Sequence, residues 1–392
     1  MTVTVSKPAL ILREEISALK KPSGIKGEEL LRSNTVSDAY TALNPVMFRN
    51  RIINGDMRID QRNNGGAVSG HVTYPVDRFR VIKDTGSGTM TMQRSSTAPL
   101  GFSTSVVYTV GTAYTPGSGE NNFFVQLIEG YQTADFGWGT AGAVPVTLSF
   151  WVRCSLAGYF GGSLRNGSSA KSFIFSYTIT APNVWEYKTI TIPGCTDGTW
   201  DKTTSNGVEL VWGFAVGSNY SNAPGGWYSG NYISATNAKF ISSTAGATWF
   251  MTGAQLEKGT VATPFEFRPF DIELLLCERY YQTSYALGVK PGTASSFSGM
   301  PGRTGLQGVT TSGESFYSTM FRRRMRATPT AKVYDRVGTV DKVSGTQYGV
   351  NDYDGYAVSY RDITSIGMGI SSSGNPTPVG GISYHYTADA EL

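Results

Sequence analysis

Two loops carry residue types that suit sugar chemistry. One runs from Gly217 to Tyr232, GSNYSNAPGGWYSGNY, and sets Asn219, Tyr220, Trp227, Tyr228, Asn231 and Tyr232 among small residues. The other, GTQYGVNDYDGY at 345–356, carries Tyr348, Asn351, Asp352, Tyr353, Asp354 and Tyr356. Sugars present C–H faces that pack on aromatic rings and hydroxyls that need amide or carboxylate partners. Either loop therefore suits glycan contact, and in either the rings can instead fold back onto the protein. Asp352-x-Asp354 offers oxygens to a hard cation but lacks the remaining positions of a calcium loop, so no metal is assigned. The run Arg322, Arg323, Arg324 and Arg326 reads as a solvated strand face, or as a contact for an acidic polysaccharide or a neighbouring subunit.

Other chemistry finds little to build on. Gly137, Gly139 and Gly142 match GxGxxG, but AVPVTLSFW follows, a strand where a dinucleotide site needs a helix N-terminus. There is no phosphate loop, HExxH or GxSxG motif. His71 and His385 are the only histidines, too few for a multi-histidine metal site. A glycosidase needs only two carboxylates, so the 29 acids do not exclude one by count. The expectation is nonetheless no enzyme and no cofactor. A formal charge of +4, from 33 basic and 29 acidic residues, is too dispersed to track phosphates, so nucleic acid is not an expected partner. No run approaches the roughly 18 apolar residues of a membrane span, and ALIL before Arg13 is too short for a secretory signal. Cys154, Cys195 and Cys277 read as buried thiols of a reducing cytosol.

The elements that must position these residues follow from periodicity. Leu12, Ile16 and Leu19 make one short helical stripe, and Val36, Tyr40 and Leu43 a second. Neither has a core of its own, so residues 1–45 are expected to be an arm that docks on another protein of an assembly. Over 46–270 the period becomes two. In VTLSFWVR, Val146, Leu148, Phe150 and Val152 share one face while Thr147, Ser149 and Arg153 share the other. Comparable strands begin at Phe123, Phe173, Val184, Val208 and Trp249, and Gly-rich turns between them argue an antiparallel sandwich. Residues 271–290 hold a short helix capped by Asp271, and 291–392 return to strands in a smaller β domain. The helix is expected to expose Leu275, Leu276 and Tyr280, and so to pack with copies of itself as a neck between subunits.

Several of these segments resemble the tail-fibre and tail-appendage proteins of tailed bacteriophages. They are FRNRIINGDMRIDQRNNG with YPVDRFRV, then VTLSFWVRCSLAGYFGGSLRNG, VWEYKTITIPG with DGTW, VGSNYSNAPGGWYSGNY, and FMTGAQLEKGTVATPFEFRPFDIELLLCERYY. The resemblance covers roughly residues 48 to 285, with an echo in MRATPT at 325–330. It implies a mainly β chain with a jelly roll similar to carbohydrate-binding modules, in a homotrimeric fibre. The arm would dock on another virion protein and the tip would meet host cell-surface polysaccharide. The protein would belong to the virion and assemble in the host cytoplasm. Two alternatives stay open: a purely structural head or tail fibre or decoration that binds nothing, and a glycan-degrading tailspike.

Overall fold

The computed structural model describes residues 48–84, 86, 88–294, 315–347, 350–372 and 381–392; for 315, 316, 346, 347, 350–353 and 381 it describes the backbone alone. Leu12, Ile16, Leu19, Val36, Tyr40 and Leu43 lie outside these residues.

Two antiparallel sheets form the body. The first runs in the order β1 (Val72–Val76), β2 (Phe79–Lys83), β5 (Asn121–Glu129), β10 (Asn206–Val216), β7 (Gly158–Asn166), β8 (Lys171–Ile179) and β12 (Trp227–Ser229). The second runs β3 (Met90–Ser95), β4 (Ser105–Val110), β14 (Thr248–Lys258), β6 (Val146–Cys154) and β9 (Glu186–Ile192). A short parallel pair, β11 (Ser221–Asn222) with β13 (Ser234–Ala235), lies within the long loop after β10. The result is the expected jelly-roll sandwich. Its core follows from strand alternation: Val146, Leu148, Phe150 and Val152 are fully buried on β6. They face Trp212 of β10, whose ring meets Phe150 at 5.7 Å, edge to face. Phe79 stacks on Phe124 at 5.0 Å, and Trp249 meets Phe214 at 5.0 Å. All three cysteines are free and buried.

The segments that open and close the sandwich meet each other. Asn54 sits in the left-handed region at φ 61° and is fully buried. Its Nδ2 donates to the carbonyls of Ile59 and Asp77 at 2.8 and 2.9 Å, while its Oδ1 accepts from the Ile59 amide at 2.9 Å. Its own amide donates to Glu273, and Arg268 reaches the carbonyls of Ile52 and Asn50 and the Glu273 carboxylate. Gly55 faces Ala254 so closely that a Cβ there would lie 2.2 Å from the Ala254 oxygen. Both peptide stretches therefore need the residues they have.

The helix α1 (Phe270–Glu278) departs from expectation. Pro269 occupies the capping position and Asp271 lies in the first turn, where its charge suits the helix dipole. The buried residues of the helix are Glu273, Cys277 and Glu278, with Leu274 and Leu276 packed against Ile53, Ile59 and Tyr280. Tyr280 is not exposed: it is fully buried, its hydroxyl donates to Glu129 at 2.7 Å, and the Arg78 guanidinium lies 3.4 Å over its ring. Leu275 and Leu276 are partly buried. The neck expectation missed this because the partner, Glu129, is far away in sequence.

The remaining strands form two further antiparallel sheets. One has the order β15 (Tyr281–Thr283), β22 (His385–Asp389), β17 (Thr330–Tyr334). The other has the order β16 (Ser315–Met320), β20 (Gly367–Ser372), β19 (Val350–Arg361), β18 (Lys342–Gln347), β21 (Gly381–Ser383). Val333, Ile370, Tyr384 and Tyr386 centre their shared core. Contacts cross the boundaries drawn at 270 and 290. Strand β15 lies inside the stretch read as a neck, and Arg80 donates to the Leu392 carbonyl at 2.9 Å. From Asn50 onward the described chain is one compact unit.

Candidate functional site

Strand register lines up a polar row on the outer face of the seven-stranded sheet. Glu209 on β10 pairs with Arg165 on β7, Arg165 with Ser172 on β8, and Ser172 with Tyr228 on β12. Arg165 donates from one nitrogen to Glu209 and from another to the Asn231 side-chain oxygen, and its guanidinium lies 5.6 Å over Phe123. Glu209 also accepts from Asn206 at 2.7 Å. Both charged groups are nearly buried, at 6% and 9% side-chain exposure, so each needs the other. Ser172 donates to the Gly230 carbonyl at 2.7 Å and accepts from the Tyr232 amide at 3.1 Å.

The loop reaches this row because two glycines let it lie flat. A Cβ at Gly161 would sit 2.4 Å from the Ala235 nitrogen, and one at Gly213 2.8 Å from the Ser234 hydroxyl. Tyr228 and Tyr232 then stand partly exposed with ring centroids 6.0 Å apart at 76°, beside the exposed Asn231. Two ring surfaces and a positioned amide at one end of a held polar row can take a sugar's C–H face and its hydroxyls.

The other aromatics of this loop serve packing. Trp227 points to the opposite face, edge-on to Phe173, Trp138 and Trp200 at 5.4, 5.5 and 5.6 Å, and its N–H donates to the Pro193 carbonyl at 2.9 Å. Tyr220 packs on the cluster of Phe123, Val216 and Ile233. Asn219 is exposed, with its amide on the Ser118 carbonyl at 3.0 Å. Trp227→Ala is therefore expected to cost stability, about 2 kcal/mol for a partly buried Trp, as measured by urea unfolding. Tyr228→Ala should change it by less than about 0.5 kcal/mol.

In the second loop Tyr348 lies outside the described residues, as do the side chains of Asn351, Asp352 and Tyr353. Asp354 is engaged within the fold, accepting from Ser344 at 2.6 Å and Arg336 at 2.8 Å. Tyr356 packs against the C-terminal core. The arginine run is a loop and not a strand. Arg322, Arg323 and Arg324 are exposed, whereas Arg326 donates to the carbonyls of Thr204, Ala390 and Glu391. Among the described residues no three His, Cys, Asp or Glu side chains gather as a metal site.

One aromatic surface was missed in the sequence. On the outer face of the five-stranded sheet Trp151 meets Tyr187 at 5.3 Å, and Phe102, Phe265 and Phe267 stand 4.9–5.2 Å apart. Gly253, at φ 63°, joins the two groups, since a Cβ there would lie 2.7 Å from Phe102 and 3.1 Å from Trp151. Tyr187, Phe267 and Phe270 are exposed. The available signal was Trp151 itself, a large ring on the otherwise polar face of β6.

No protein-family model and no curated protein matches the chain. Among solved structures, the enzymatically active domain of tailspike protein 4 of bacteriophage CBA120 aligns at 15% identity and TM-score 0.29. That alignment covers 54% of this chain, which spans only 22% of the tailspike chain. A putative sugar-binding protein from Bacteroides thetaiotaomicron aligns at 11% identity and TM-score 0.31, over 54% of this chain and 100% of that one. A family 11 carbohydrate-binding module from Clostridium thermocellum aligns at 11% identity and TM-score 0.25, over 50% and 99%.

Proposed function

We propose that this protein is a non-enzymatic adhesive subunit of a tailed-phage virion, contacting host-surface glycan through Tyr228, Tyr232 and Asn231. The observation that carries the reading is the exposed ring pair and amide at the end of a buried, register-aligned polar row. The resemblance of residues 48–285 to phage appendage proteins supports the virion role, with assembly in the host cytoplasm and attachment through residues 1–45. The same resemblance supports a homotrimer, and the exposed rings of Phe267 and Phe270 offer it an apolar contact surface in place of the α1 neck. Tyr228→Ala with Tyr232→Ala should weaken adsorption to host cells at least tenfold, about 1.4 kcal/mol, with the melting temperature held within a few degrees. Undiminished adsorption would overturn the glycan contact and favour a purely structural fibre. Release of sugar from purified host polysaccharide would overturn the non-enzymatic reading and favour a tailspike.

A further inference from the structure

A cleft of about 500 Å³ opens where the three-stranded sheet faces β1 of the sandwich. Its floor is set by register. Tyr281, Asp389 and Thr330 lie side by side across β15, β22 and β17, and Thr283, Thr387 and Lys332 form the next row. Alternation turns Thr330, Lys332, Tyr334, Thr387 and Asp389 into the cleft, while Ala331, Val333, Tyr386 and Ala388 go to the core beneath. Tyr74 of β1 forms the facing wall.

The back of the cleft is rigid. The Arg62 guanidinium lies 3.7 Å over the Tyr281 ring and 4.4 Å over the Tyr74 ring. It also pairs with Asp77, Asp389 and Glu391 at 3.2–3.3 Å. The two tyrosines and two of the cleft carboxylates are thereby fixed before any ligand arrives, which lowers the ordering cost of binding. Thr330 and Lys332 are exposed at the mouth, and Asp389 keeps 40% of its side chain open.

The lining selects a ligand class. Threonine hydroxyls, a tyrosine hydroxyl, one ammonium and one open carboxylate offer donors and acceptors to a molecule covered in hydroxyls, and the partly exposed rings of Tyr74 and Tyr334 offer surfaces to C–H faces. Asp389, the carboxylate open to the cleft, disfavours a phosphate or another polyanion, and the polar floor disfavours an acyl chain. The volume falls in the range of small-ligand pockets. We propose that this cleft binds a neutral oligosaccharide of two or three rings, at a site separate from the Tyr228 surface.

The test uses the full chain and a panel of neutral trisaccharides of glucose, galactose, mannose, N-acetylglucosamine and rhamnose. Saturation-transfer NMR reports contact and calorimetry reports affinity. At least one trisaccharide should bind. Thr330→Trp, which fills the mouth from an exposed position, should weaken that binding at least tenfold, and Lys332→Ala at least threefold. Tyr228→Ala with Tyr232→Ala should leave it within twofold. Silence across the panel overturns the proposal, as does binding that survives Thr330→Trp in a protein of unchanged melting temperature. Stronger binding of a trigalacturonate than of every neutral probe overturns the ligand class. Binding lost only in the tyrosine double variant overturns the cleft and leaves the loop reading standing.

Discussion

Arg165→Met is expected to lower the unfolding free energy by about 3–5 kcal/mol, the range for breaking a buried ion pair from one side. Arg165 and Glu209 sit opposite each other on adjacent strands, and both are nearly out of solvent. With Arg165 gone, Glu209 keeps, among the described residues, only the Asn206 amide as a partner, and a buried carboxylate so placed is poorly compensated. Adding Glu209→Leu removes the stranded charge. The double variant should recover most of the loss, leaving about 1 kcal/mol for the unsatisfied Asn206 donor. Urea unfolding of wild type, both single variants and the double variant gives the cycle directly. A loss below about 1 kcal/mol for Arg165→Met would mean that the pair is hydrated and the row is not pre-formed. The same double variant separates stability from function. It restores the fold but not the bond to Asn231, so adsorption should remain weakened.

That dependence marks where the sequence was readable and where it was not. The strands of the sandwich were legible because alternation is a local property: Val146, Leu148, Phe150 and Val152 declare a buried face without reference to anything distant. The loop aromatics were legible as a group but not one by one. Trp227 and Tyr228 are neighbours in sequence, and strand β12 sends them to opposite faces, one into a cluster with Trp138 and Trp200 and the other beside Ser172. Only the pairing of β12 with β8 decides which is which. Tyr280 was misplaced for a related reason. A short helix rich in leucine looks unpartnered until Glu129, with Arg279 at 2.6 Å and the Tyr280 hydroxyl at 2.7 Å, is brought to it by the fold. The cleft around Tyr74 and Thr330 had no local signal, since its walls come from β1, β15, β17 and β22.

Lowering the pH from about 6.5 to about 4 should remove about 3 kcal/mol of stability through His385 alone. The imidazole is 2% exposed and stacked on Tyr285 at 3.8 Å. The Ser284 hydroxyl accepts from the Tyr386 amide at 2.8 Å and lies 3.0 Å from His385 Nδ1. Burial pushes the group down from 6.5 to about 4. The folded state therefore declines a proton that the unfolded chain accepts. The stability is complete above pH 6.5 and falls by about 1.4 kcal/mol per unit until the folded group itself titrates near 4. Asp77 acts in the opposite sense. Burial raises its carboxyl to about 6 despite Arg62 beside it, so the penalty for its charge fades as the pH drops through the same window. Wild type alone would blur the two. His385→Asn removes the imidazole and keeps Asp77, so the difference in unfolding free energy between wild type and variant isolates the histidine. That difference should shrink, or reverse, by about 3 kcal/mol between pH 7 and pH 4. A constant difference across that range would show that His385 is reached by water and protonates as readily folded as unfolded.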